Sequence, residues 1–240
     1  MTIISESETV DDFAAFGIRA FTTSRLSGSF GLASEEPTAE VMRRWWQLRD
    51  ELVPGGVRLA SGSQVHGARV IVHGPAWEGW LRVDAADGHV STDRGLALVV
   101  TVADCVPVFI AHPAGAVALL HSGWRGTAAR ILERGIDALA QRGFAATELR
   151  VHLGPAICGN CYEVGADVFR QVTGRDSSGA SARVDLRARL AEQAHACGVR
   201  HLATSRLCTR CDNDRFYSHR AGDVGRQIAV IFGERIIGTP

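Results

Sequence analysis

An α+β fold, a mixed β-sheet covered by helices in a single domain, is what this sequence predicts, and three observations carry that expectation. Apolar runs of strand length, Leu96 to Val102, Val106 to Ala111 and Ala116 to Leu120, follow one another with only short turns between them. Segments of helical spacing lie before and after these runs and do not alternate strictly with them, which separates the pattern from a doubly wound parallel sheet. A length of 240 residues with 46% hydrophobic side chains is enough for a full core without staples.

The elements follow in chain order. Phe16 to Thr22 reads as an early strand, and Ser24 to Glu36, small, polar and Gly-containing, as a loop. Thr38 to Leu52 predicts a helix, because Val41, Trp45, Leu48 and Leu52 fall on one face. Thr38 is placed to cap it and Pro54-Gly55-Gly56 to end it. Arg58-Leu59-Ala60 leads into Gln64-Val65-His66-Gly67, and Val70-Ile71-Val72 forms a strand. Trp77 to Asp87 reads as a connection rich in aromatic and acidic residues, ahead of His89-Val90-Ser91-Thr92. The turn His112-Pro113-Ala114-Gly115 is short enough for an antiparallel hairpin.

A tight turn at Ser122 to Gly126 opens a helix from Thr127 to Gln141, with Ile131, Leu132, Ile136 and Leu139 on its apolar face. Its N-terminus would set free N–H groups and a positive dipole end near His121. Leu149 to Leu153 reads as a strand, Glu163 to Val172 as a helix and Gly174 to Ala182 as a flexible loop. Asp185 to Cys197 is a helix capped by Asp185; His201 to Thr204 and Gln227 to Phe232 are late strands. No repeat or low-complexity linker splits the chain, so residues 1–240 are taken as one domain.

Charge excludes some functions. The formal net charge is zero, which leaves no electrostatic case for nucleic acid or an anionic membrane. Met1 to Asp12 is acidic and polar, unlike a signal peptide. The longest apolar stretch, Leu96 to Ala111, is interrupted by Asp104 and Pro107 and does not suit a bilayer. A monomeric cytoplasmic protein is expected. Every Lys/Arg position is Arg, so lysine Schiff-base and P-loop mechanisms are excluded, and a phosphate must be held by Arg or backbone N–H groups.

The chemistry concentrates in Gln64-Val65-His66-Gly67, Ala103-Asp104-Cys105 and His121-Ser122-Gly123-Trp124-Arg125-Gly126. His66, Cys105 and His121 offer two imidazoles and a thiolate, one ligand short of a closed tetrahedral zinc site, which is how catalytic zinc is usually held. For any one of the three, a satisfied buried side chain is the ordinary alternative. Asp104 is a candidate proton shuttle or a support for a neighbouring imidazole. Arg125 is a candidate phosphate ligand or a pin for its own turn. Cys158-x-x-Cys161 and Cys208-x-x-Cys211 look like halves of a zinc knuckle, but the gap between them is longer than in the usual ribbon. They are expected to be thiols and not a required metal site.

These strings resemble the purine nucleoside phosphorylase family once called multicopper polyphenol oxidases, or laccase-like proteins. Thr101 to Pro107, Gly154 to Ile157 with Tyr162-Glu163-Val164, and Cys208-Thr209 before Phe216 to Arg220 extend the match from about residue 16 to the C-terminus. The resemblance implies a single-domain sandwich related to cysteine-dependent deamidase toxins, with zinc on His66, Cys105 and His121. It also implies phosphorolysis of adenosine, inosine and methylthioadenosine, some adenosine deamination, and, for some relatives, editing of peptidoglycan precursors. Asp104 and Arg125 are then the candidate catalytic residues, and Gln64, Arg25 and Arg220 the candidate contacts to nucleoside and phosphate. The chain departs from the family at Thr23 to Gly28, at Gly31 to Glu35 and at Ser218-His219-Arg220. Copper loading, giving weak polyphenol oxidase activity in vitro, is the alternative; multicopper sites generally need close His-x-His pairs, and the nine histidines form none. A hydrolase with Cys105 as nucleophile and His121 as base is a further alternative.

Overall fold

A strand covered on both faces needs no polar alternates, and that is why the longest apolar runs here are continuous. The computed structural model describes residues 2–32, 35–52, 57–75 and 77–234. Two six-stranded mixed sheets face each other. In spatial order the first contains β1 (Ser7–Thr9), β2 (Ile18–Thr23), β14 (Gln227–Gly233), β7 (Leu96–Val102), β3 (Arg58–Gly62) and β5 (Trp80–Val83). The second contains β13 (His201–Thr204), β10 (Arg150–Leu153), β8 (Val106–Ala111), β9 (Val117–Ser122), β6 (Gly88–Ser91) and β4 (Val70–His73). A separate hairpin joins β11 (Glu163–Gly165) and β12 (Ser181–Arg183).

The helix α1 (Thr38–Leu52) covers the first sheet. The helices α2 (Trp124–Ala128), α3 (Ile131–Ala140), α4 (Ala166–Thr173) and α5 (Leu186–Ala196) lie on the second. Strand alternation sorts side chains among the resulting layers. Leu98, Val100 and Val102 meet Phe109, Val117 and Leu119 between the sheets. Ala97 and Val99 face Trp45 and Leu48 of α1. Val108, Ile110, Ala118 and Leu120 face Leu132 and Ile136 of α3. Trp45 is fixed further by stacking on Trp80 at 4.5 Å between ring centroids, and its indole N–H donates to the Phe30 carbonyl at 3.1 Å. Among the described residues, no helix is long and apolar enough to cross a membrane.

The α+β class, the helix over Thr38 to Leu52 and the antiparallel β8–β9 hairpin match the expectation. Other elements differ. Position 37 caps α1 in place of Thr38, since the Pro37 carbonyl accepts from the N–H groups of Glu40 and Val41. The expected stop at Pro54-Gly55-Gly56 lies outside the described residues, as do Ala33 and Ser34 of the atypical loop. The early strand starts at Ile18, after a 3-10 turn over Asp11–Phe16. The connection from Trp77 to Asp87 contains β5, which pairs in parallel with β3. Glu163 to Gly165 is strand, because Ser181 to Arg183, inside and just past the expected loop, returns to pair with it.

The helix expected from Thr127 to Gln141 breaks in two. Arg130 sits in the left-handed region at φ 60°, and the Thr127 carbonyl accepts from Gln193 Nε2 of α5 at 3.0 Å. The segment after His121 is therefore a helix of 5 residues, whose few aligned peptides make a much smaller dipole than the long helix would.

Candidate metal and substrate site

The site lies at one end of the sandwich, where the chain crosses between sheets. Strand β7 of the first sheet passes through Ala103-Asp104-Cys105 directly into β8 of the second. Beside β8 runs β9, with His121 paired to Pro107. Strand β3 is parallel to β7, so the loop that follows it, carrying Gln64 and His66, emerges at the same end. His66, Cys105 and His121 each bring one ligand atom into a cluster whose members lie within 4.8 Å of one another. His66 is exposed, Cys105 half-buried and His121 buried, so the cluster opens to one side.

Two residues beside these ligands adopt backbone conformations that non-glycine residues rarely use: His66 itself at φ 60° and Asp104 at φ 78°. Gly123 is required for a different reason. A Cβ there would lie 2.8 Å from Cys105 Sγ, so any larger residue would push the sulfur out of place.

Asp87 organises the cluster, and no sequence pattern singles it out. It is fully buried at the start of β6. Its Oδ1 pairs with His121 Nδ1 at 2.9 Å and accepts the His66 N–H at 2.9 Å. Its Oδ2 accepts the N–H groups of Gly67 at 2.8 Å and Val65 at 3.2 Å. One carboxylate thus sets the His121 ring, leaving Nε2 for the sulfur or a metal, and shapes the loop bearing His66. Burial alone would raise Asp87, but the hydrogen bond from His121 and those from Gly67 and Val65, with the His121 charge, hold it below the usual carboxylate value.

Burial likewise opposes charge on Cys105 and His121. The imidazole charge and hydrogen bonds of His121 and His66 overcome it and pull the Cys105 thiol down to about 6. The Cys105 charge, with the hydrogen bonds that His121 donates to Asp87 and to Cys105 and the Asp87 charge, pushes His121 up to about 9. The donor set fits zinc: a soft sulfur, two imidazoles, a carboxylate behind one imidazole, and an open side.

That open side faces a cavity of about 570 Å³, within the roughly 300–1,000 Å³ usual for small-ligand sites. Gln64, Asp104, Arg125 and Arg220 line it together with the three cluster residues. Arg25 does not. It is tied to the Asn213 and Phe216 carbonyls and to Asp223, and lies over the Tyr217 ring, so it pins the C-terminal loop. Gln64 lines the cavity, but its amide is engaged by Thr101: Nε2 donates to the carbonyl, and Oε1 accepts from both the N–H and the hydroxyl. Asp104 supports neither imidazole by a hydrogen bond. Its oxygens accept from Thr209 Oγ1 and from the Arg220 N–H, each at 2.6 Å, which ties the crossover to the C-terminal loop.

Arg82, Tyr162, His219 and Arg226 also line the cavity and were missed as site residues, although Tyr162 and His219 lie in the strings that carry the family resemblance. Arg82, Arg125, Arg220 and Arg226 form no ion pair among the described residues. The cavity is therefore cationic and suited to an anion. Arg125 is exposed and stacks over the Trp124 ring at 4.3 Å. Burial, reinforced by the Cys105 charge, pushes Tyr162 up to about 12, so its hydroxyl keeps its proton.

The fold and site define a two-sheet sandwich that carries an open His–Cys–His cluster, a candidate metal site, beside a cavity lined by four arginines. The chain belongs to the family described as multi-copper polyphenol oxidoreductase laccase, whose profile matches residues 19–234. A Streptomyces griseus relative named purine nucleoside phosphorylase ORF3 is 34% identical over 177 residues, 71% of this chain and 72% of its own length. A relative from an unknown prokaryotic organism, named adenosine deaminase RL5, is 32% identical over 151 residues, 58% of either chain. The crystal structure of YlmD from Geobacillus stearothermophilus superposes with a TM-score of 0.84 at 28% identity, covering 92% of this chain and 94% of that one. Among the described residues, the clusters able to hold a metal are His66–Cys105–His121 and Cys158–Cys161–Cys208–Cys211. Neither is the histidine-rich set that multicopper oxidation needs.

Proposed function

We propose that this chain is a zinc-dependent purine nucleoside phosphorylase acting on adenosine, inosine and methylthioadenosine, with adenosine deamination as a lesser reaction, working as a monomer in the cytoplasm. The observation that carries the reading is the set of four cavity arginines without carboxylate partners, placed beside an open His–Cys–His cluster. The names of the relatives, phosphorylase and deaminase, support the same substrate class.

His66, Cys105 and His121 would hold the zinc. When bound, zinc supplies a Lewis acid and lowers the pKa of water toward neutrality. The protein's own residues do the rest. Arg125, with Arg82 and Arg220 lining the same cavity, grips the phosphate through planar forks. The phosphate oxygen displaces the purine at C1′, and the departing ring needs a proton; His219 is the cavity group to provide it, while Tyr162, whose hydroxyl keeps its proton, offers a hydrogen bond. Asp104 keeps the Arg220 backbone in place.

The test is a chromatographic assay of adenosine with metal-free and zinc-loaded enzyme, with and without phosphate. Adenine and ribose 1-phosphate appearing only with phosphate is the expected result. Inosine alone, independent of phosphate, would make the protein a deaminase; phenol oxidation under copper with neither product would restore the oxidase reading. Arg125→Lys is expected to lower kcat/KM for phosphorolysis by about tenfold or more, the equivalent of one charged hydrogen bond, while leaving Tm unchanged. Equal efficiency in the two proteins would make Arg125 structural.

One observation favours a second reading. Cys105, His121 and Asp87 follow one another as nucleophile, base and orienting acid do in a cysteine hydrolase. The relation to cysteine-dependent deamidase toxins that the family resemblance implies would belong with this reading. His66 weighs against it, since a triad has no use for a second imidazole on the same sulfur. Turnover by zinc-free enzyme, blocked by iodoacetamide at Cys105, would favour the triad; turnover only with zinc favours the phosphorylase.

A further inference from the structure

The fold closes the long gap between Cys158-x-x-Cys161 and Cys208-x-x-Cys211, against the expectation that these pairs stay unrelated thiols. The first pair lies in a tight turn after β10, where the N–H groups of Cys161 and Tyr162 both donate to the Cys158 carbonyl at 3.0 Å. The second lies in the turn after β13, closed by the Asp212 N–H on the Cys208 carbonyl at 2.8 Å and by Asp212 Oδ2 on the Cys208 N–H at 2.8 Å. The four sulfurs lie within 4.8 Å of one another, and those of Cys161 and Cys211 are 3.5 Å apart. A zinc–sulfur bond of about 2.3 Å implies sulfurs about 3.8 Å apart in a tetrahedral site. The gathered thiols therefore need only small shifts to close on an ion.

Two further features are those of a thiolate site. The backbone N–H groups of Cys158 and Cys211 point at Cys208 Sγ, at 3.3 and 3.5 Å. Such donors stabilise a negative sulfur far more than a neutral thiol, which is only a weak acceptor. The Arg210 guanidinium donates to the Cys161 carbonyl at 3.2 Å, adding a cation beside the cluster.

The location suggests what such a site does. Residues 205 to 226 join β13 to β14 with little regular structure beyond a 3-10 turn at His219–Ala221, yet they supply His219, Arg220 and Arg226 to the cavity. A loop this long needs tethers to hold a site. Arg25 and Asp104 provide two of them. The cysteine cluster would provide a third, fastening this loop to the turn that bears Tyr162.

We propose that Cys158, Cys161, Cys208 and Cys211 form a closed structural zinc site, separate from the His66–Cys105–His121 cluster, that locks the C-terminal loop against the Tyr162 turn. Zinc binding there displaces thiol protons and changes no oxidation state.

The test reads metal, not turnover, so it stands apart from the reaction proposed above. Elemental analysis of the full chain purified with reductant is expected to find about two zinc per chain in the wild type, and about one in both Cys105→Ala and Cys211→Ser. Cys197, outside both clusters, serves as the control, and Cys197→Ser is expected to keep about two. Because a cysteine variant can misfold, cobalt-reconstituted Cys105→Ala supplies an independent measurement. It retains only the four-cysteine cluster and is expected to show intense sulfur-to-cobalt charge transfer with tetrahedral ligand-field bands. Wild-type zinc unaffected by Cys211→Ser, absence of the cobalt bands, or a Cys161–Cys211 disulfide in the reduced preparation would each overturn the proposal.

Discussion

Cys105→Ala is expected to empty the site between His66 and His121 and to lower kcat/KM by at least about a thousandfold, roughly 4 kcal/mol of transition-state stabilisation. Cys105 would contribute the only anionic ligand of the three, and its charge, together with Asp87, offsets the burial of His121. Two imidazoles alone, one of them on a loop, hold zinc far more weakly than the full set. The measurement is zinc content and turnover of Cys105→Ala in a Cys211→Ser background, so that zinc at the four-cysteine cluster does not mask the loss. Zinc still bound in that double variant would sink the ligand assignment. Full turnover without zinc would remove the metal from the reaction altogether.

Asp87→Asn is expected to weaken zinc binding by about 10–100-fold, the usual effect of losing a carboxylate behind a ligating histidine. The asparagine amide keeps one acceptor and presents N–H donors to a place already filled by donors: the N–H groups of Val65, His66 and Gly67 and the His121 ring. At least one buried donor loses its partner, at a cost of about 1–3 kcal/mol. Zinc affinity by chelator competition separates the two effects. A lowered Tm with unchanged affinity would mean that Asp87 serves the loop alone and does not orient His121.

Local pattern specifies several parts of this protein. The face of α1 repeats with helical period, the short turn after Ala111 demands a hairpin, and the candidate donors Cys105 and His121 stand at the ends of apolar runs. Failures came where a partner remote in sequence decided the outcome. Glu163 to Gly165 looked helical until the return strand at Ser181 was known, and one helix became two because Gln193 captures the Thr127 carbonyl. Arg25 is among the substrate contacts that the family resemblance implies, yet it does not line the cavity. It is instead held by Asn213, Phe216 and Asp223, nearly two hundred positions away.

Local sequence determined the layered α+β class, the donors His66, Cys105 and His121, and the absence of lysine chemistry. Each of these follows from residue identity or short-range periodicity. Tertiary structure alone decided that Asp87 sits behind His121, that four arginines line one cavity, and that two distant cysteine pairs meet. The reason is physical. Both sheets are assembled from strands far apart in the chain, and the crossing of β7 into β8 brings loops of the two sheets to one end. Which side chains converge there depends on the closure of the sandwich, a non-local event that no window of neighbouring residues encodes.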